Sequence, residues 1–73
     1  MIAPTIKSLL ATEQLKRTDA AAALGITAQA MSNKYTRDSF SAVDLVKIAS
    51  ACGYRLAFTD EAGKAVIMFP EIS

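Results

Sequence analysis

At 73 residues the chain allows one domain around a single small core, a size that retains only a few kcal/mol of net stability. A composition that is 52% hydrophobic, with a positive mean hydropathy, excludes a disordered tail and implies more apolar surface than one copy hides easily, so a dimer is plausible. The net charge of +1 averages two unlike halves: residues 1 to 37 hold five bases (Lys7, Lys16, Arg17, Lys34, Arg37) against two acids, while residues 38 to 73 hold three bases against five acids, an asymmetry that suits presenting one end to phosphates.

Pro4 suits a helix's first turn, where its missing N–H has no partner anyway, and Ile6, Leu9 and Leu10 recur at helical spacing, predicting a first helix over about 4–12. Glu13 to Lys16 reads as a connector with Leu15 as a plug. A second helix is expected over about 18–24, opened by the Thr18 hydroxyl with Asp19 in the positive first turn, and closed by Gly25 in the left-handed conformation. Its alanines suit a close crossing, with Ala21 at the contact.

Thr27 caps a third helix over about 27–36, which carries Ala30, Met31 and Tyr35 on one side and Gln29, Ser32, Asn33 and Thr36 on the other. One face packs and the other is free to read something. The pair therefore has the form of a helix-turn-helix whose second helix enters a DNA major groove. Phe40 plugs the core from the following loop, and Ser41 with Asp44 is a start signal for a fourth helix over about 42–52, ended by Gly53. Cys52 reads as a small buried hydrophobe.

After Gly53 the period becomes alternating, with Tyr54, Leu56 and Phe58 on one face, a turn at Asp60 to Gly63, and a return strand ending at Pro70, which together predict a β-hairpin over about 54–69. Four consecutive apolar residues, Val66, Ile67, Met68 and Phe69, imply burial on both faces, which one thin helical layer cannot provide. The expectation is a homodimer joined through this ribbon; the competing arrangement folds the hairpin back over its own helices.

No apolar run approaches the roughly 18–20 residues of a membrane helix, and MIAPTIKSLL lacks the marks of a signal peptide, so a cytoplasmic location is expected. One cysteine and no histidine give no internal disulfide, zinc cluster or Cys-His dyad, so neither a metal nor a cofactor is expected. Catalysis is the weakest reading, because the adjacent Asp60-Glu61 pair does not converge on a substrate.

From about Ile6 to Cys52 the chain resembles the helix-turn-helix domains of the phage repressor and Cro type, on the strength of Ala21, Leu24-Gly25-Ile26, Met31, Leu45, Ile48 and Ala49. Small bacterial and prophage proteins of this type look similar around AMSNKYTRDSFSAVDLVKIA, and some carry a strand pair after the last helix. The implied fold is mostly α, a four-helix repressor/Cro-like domain followed by a C-terminal β-hairpin. The resemblance implies that Ala28, Gln29, Ser32 and Asn33 face base edges, with the Gln29 and Asn33 carboxamides suited to adenine and Ala28 to a thymine methyl.

Two positions depart from the pattern: Arg17 stands where a bracing glutamine is usual and is expected to meet phosphate, and Lys34 replaces an apolar residue, so its stem packs while its ammonium reaches outward. Arg17, Thr18, Thr27, Lys34 and Arg37 are the expected phosphate contacts, and Val66, Ile67, Met68 and Phe69 the expected dimer interface. The implied partner is double-stranded DNA with a palindromic operator. A protein-interaction role, as an antitoxin or assembly partner using the apolar hairpin, is the alternative.

Overall fold

The computed structural model describes residues 1–70. Four helices, α1 (Ala3–Thr12), α2 (Arg17–Leu24), α3 (Ala28–Arg37) and α4 (Ala42–Ala51), precede an antiparallel hairpin of β1 (Ala57–Thr59) and β2 (Ala65–Met68). The chain is thus mostly helical with a C-terminal hairpin, as its patterning implies. No helix among the described residues is long and apolar enough to cross a membrane.

The core is where the helices meet. Ile6 and Leu10 of α1, Ala20 and Ala21 of α2, Met31 of α3 and Ile48 of α4 form one buried cluster, with Leu15, Leu24, Ile26 and Phe40 packed around it. Met31 has no exposed surface. The buried alanines of α2 let its neighbours approach closely, which is how α2 packs against both α3 and α4.

Each helix stops in the same way. A residue one or two positions beyond the helix end turns left-handed: Gly25 and Asp38 directly after α2 and α3, Gln14 and Gly53 one residue later after α1 and α4. The next N–H then reaches back to the carbonyl five residues earlier: Leu15 to Leu10 at 2.8 Å, Ile26 to Ala21 at 3.0 Å, Ser39 to Lys34 at 3.1 Å and Tyr54 to Ala49 at 2.8 Å. This places Leu15 and Ile26 against the core. Asp38 adds a second function, because its carboxylate accepts from the N–H groups of Ile2 at 3.0 Å and Ala3 at 2.6 Å. Those N–H groups, of Ala3 first and Ile2 second, hold the Asp38 pKa below the usual carboxylate range.

Two helix starts follow the sequence signals. Thr27 Oγ1 accepts from Ala30 N–H at 3.1 Å, and Ser41 with Asp44 forms the reciprocal box, Asp44 N–H to Ser41 Oγ at 3.1 Å and Ser41 N–H to Asp44 Oδ2 at 3.0 Å. The second helix is a correction. It opens at Arg17 rather than Thr18, because the Asp19 carboxylate accepts from Lys16 N–H at 2.8 Å and fixes Lys16 as the cap, leaving Thr18 inside the first turn. The fourth helix ends at Ala51, and Cys52 lies just beyond it, half-buried against the core.

The hairpin is shorter than its alternating pattern implies, since Tyr54 to Leu56 lie outside the strands. Pairing runs Ala57 to Met68 and Phe58 to Ile67, then slips to Thr59 opposite Ala65, so Val66 is the extra residue of a bulge. The ribbon projects from the helices instead of folding back on them: no helix packs broadly against either strand among the described residues. Phe58, Val66, Ile67 and Met68 are 61%, 63%, 60% and 46% exposed. Phe69 differs from the rest of the expected interface, being half-buried with its ring 5.1 Å from that of Phe58.

Candidate nucleic-acid interface

Helix α3 offers one continuous polar stripe. Gln29, Asn33, Thr36 and Arg37 recur at spacings of three and four, all exposed. Gln29 Nε2 donates to Asn33 Oδ1 at 3.3 Å, which leaves the Gln29 carbonyl as acceptor and the Asn33 amide as donor on one surface. The two carboxamides expected to read bases are therefore brought together as a unit.

The other two expected base readers sit at the margin of the stripe. Ser32 is half-buried and its hydroxyl donates to the Ala28 carbonyl at 3.2 Å, while Ala28 is itself half-buried. Thr36, which the periodicity placed on the polar side without assigning it a role, lies within the stripe, its hydroxyl donating to the Ser32 carbonyl at 3.0 Å.

The cations divide. Arg37, at the end of α3, and Arg17, at the start of α2, are exposed. Thr27 uses its oxygen to cap α3, which leaves its hydroxyl proton free, and the Ala28 and Gln29 N–H groups beside it have no intrahelical acceptor. Lys34 departs from expectation. Its ammonium, rather than pointing outward, bonds Asp44 Oδ2 at 2.8 Å and approaches the Ser39 carbonyl at 3.4 Å, so it ties α3 to α4. Partial burial alone raises the Asp44 pKa, but the Lys34 ammonium and the Ser41 N–H outweigh it and hold the carboxyl below its usual range.

On the other flank of α3 a cleft of about 450 Å³ opens between α1, the start of α2 and α3. Leu10, Ala11 and Leu15 form its apolar floor, and Lys7, Arg17 and Tyr35 rise around it. Lys7 Nζ stands 5.1 Å from the centre of the Tyr35 ring, which also meets the Phe40 ring in a tilted contact at 5.8 Å between centroids. Burial pushes the Tyr35 pKa up, with Arg17 opposing, so the phenol stays protonated at neutral pH. Ser32 and Thr36 also line the cleft, so it adjoins the polar stripe directly. Elsewhere, burial pushes the Cys52 thiol up, with Glu13 adding to it, which leaves little reactive thiolate.

Residues 6–58 match the model of the bacteriophage CI repressor helix-turn-helix domain, well over half of the chain. Comparison with curated proteins and with solved structures returned no match.

Proposed function

The chain belongs to the bacteriophage CI repressor helix-turn-helix family, whose members regulate transcription by binding DNA, and we propose that it does so as a homodimer reading a palindromic site through α3. The observation that carries this reading is the Gln29–Asn33 pair, exposed on the helix that follows the turn and tied by a 3.3 Å hydrogen bond. A donor and an acceptor held side by side match the N7 and N6 edge of adenine in the major groove. Ala28 and Ser32 flank the contact. Arg17, Thr18, Thr27 and Arg37 meet phosphates, and Lys34 joins them only by leaving Asp44.

One subunit has few such contacts, and two reading helices about 34 Å apart fit successive major grooves. Val66, Ile67 and Met68, with Phe58 and Phe69 beside them, supply the surface that pairs two chains; both ribbon edges lack a partner strand among the described residues. Selection on random duplex DNA tests the whole reading: the expected product is a palindrome whose half-sites lie one helical turn apart. Sedimentation of Ile67→Lys tests the interface, with monomer expected; an unchanged dimer rules the hairpin out. The same exposed apolar ribbon supports a second reading, in which it holds a different protein. A wild-type chain that sediments as a monomer and selects no palindrome favours that role.

A further inference from the structure

We propose that the cleft bounded by Lys7, Arg17 and Tyr35 seats a DNA backbone phosphate beside the bases read by α3, with the two cations as charge contacts and the Tyr35 hydroxyl as third donor. This rests on the reading of α3 as the groove-bound helix. It adds α1, through Lys7, to the elements that touch DNA.

Three observations carry it. First, the cleft gathers two cations and no carboxylate among the described residues lines it, so its potential is positive in a chain of almost balanced charge. Second, Lys7 has a partner in place: its ammonium rests over the Tyr35 ring at 5.1 Å, and that ring also packs, tilted, against Phe40 at 5.8 Å between centroids, so the charge is placed before any ligand arrives. Third, Ser32 and Thr36 belong both to the cleft wall and to the border of the Gln29–Asn33 stripe. A helix about 10–12 Å across fills a major groove about 12 Å wide, so a groove-bound α3 has a phosphate strand along each flank. The strand on the α1 flank passes over this cleft.

The Ser32 and Thr36 hydroxyls already donate within α3, whereas the Tyr35 phenol makes no hydrogen bond among the described residues. Its half-buried ring fixes where that donor points. A phosphodiester brings the acceptor it lacks, together with the negative charge that both cations need.

The test uses the full chain and a duplex recovered by selection, with affinity measured at several salt concentrations. One shared phosphate predicts that Lys7→Gln combined with Arg17→Gln flattens the log–log salt slope by about 0.9 per bound subunit, with base preference unchanged. Tyr35→Phe keeps the ring packing and is expected to weaken binding roughly tenfold with the slope intact. Melting curves of all variants confirm that each is folded, and Lys7→Arg is expected to restore the slope. An unchanged slope in the double variant overturns the clamp, and so does a loss near twice that size, which means two separate phosphates. Titration with inorganic phosphate alone, followed by NMR at Lys7 and Tyr35, covers a free anion as occupant. Saturation by phosphate at millimolar concentration, with duplex binding indifferent to the variants, overturns the DNA assignment. The parent reading fails separately, if the wild-type chain binds no duplex at low salt or if Gln29→Ala leaves base preference untouched.

Discussion

Replacing Lys34 by Met keeps the packed stem and removes only the ammonium that joins α3 to α4. The two side chains of the pair are 27% and 16% exposed, which places it between two regimes. Open surface pairs contribute about 0–1 kcal/mol, and breaking a fully buried pair costs about 3–5 kcal/mol. Asp44 keeps its bond from Ser41 N–H at 3.0 Å, so it is not left bare, and the loss should fall near 1–2 kcal/mol. For a domain of this size that lowers Tm by roughly 5–15 °C at pH 7.

Acid supplies the internal control. The folded Asp44 pKa lies below its unfolded value, so the pair stabilises fully above pH of about 4 and is lost as pH falls through the folded value. Wild-type and Lys34→Met melting temperatures should therefore converge in acid. Equal stability at pH 7, together with a flattened salt slope for duplex binding, would show that the ammonium serves phosphate and that the ion pair contributes nothing.

Met31→Ala opens a void at the fully buried centre of the core and should cost about 2–5 kcal/mol in urea titration, a large share of what a 73-residue domain possesses. Gln14→Gly removes a left-handed side-chain penalty at φ 56° and should raise the urea midpoint by the equivalent of about 0.5–1 kcal/mol; a lower midpoint counts against the strain. Asp38→Ala should lower Tm at pH 7, and the deficit should vanish as pH falls through the depressed folded pKa, because the wild-type carboxylate then loses its hold on Ile2 and Ala3. Gln29→Ala and Asn33→Ala should be non-additive in binding to a selected duplex, since either change breaks the shared carboxamide unit; strict additivity means the two side chains read independently.

How much of this was legible in the chain depends on the range of the interaction. Local rules served well. Thr27 and Ser41 carry oxygens that can cap, Gly25 and Gly53 allow a left-handed stop, and all four behave accordingly. Gln14 and Asp38 make the same stop without advertising it, because neither is glycine and only the bond from the next residue reveals the motif. The start of α2 was misplaced because Lys16 has no acceptor, and the signal lay in Asp19, three residues on.

Relations across helices were not legible. Periodicity assigns Lys34 a half-exposed position, but its partner lies ten residues away on α4, and only the crossing of the two helices brings them to 2.8 Å. Spacing puts Ser32 on the polar side of α3 and the family resemblance makes it a base reader, but neither shows that it also lines a cleft against α1. The cleft itself, with Lys7 over Tyr35, joins elements far apart in the chain. In the hairpin the apolar run was plain, whereas the bulge at Val66 depends on which residues pair.

The bond from Asp38 to the first turn of α1 has a geometric consequence. It joins the end of the helix that carries Gln29 and Asn33 to the start of the helix that carries Lys7. The distance between the proposed base contacts and the proposed phosphate contact at Lys7 is thereby set by a carboxylate and two peptide N–H groups near the beginning of the chain. Met1 makes neither of these hydrogen bonds and adds only the charge of its ammonium, the smallest of the pulls on the Asp38 carboxylate, so an extension added before it leaves both N–H bonds in place. Deleting Met1 to Ala3 removes both donors and lets α1 slide against α3, which should blur recognition of half-sites before it abolishes binding.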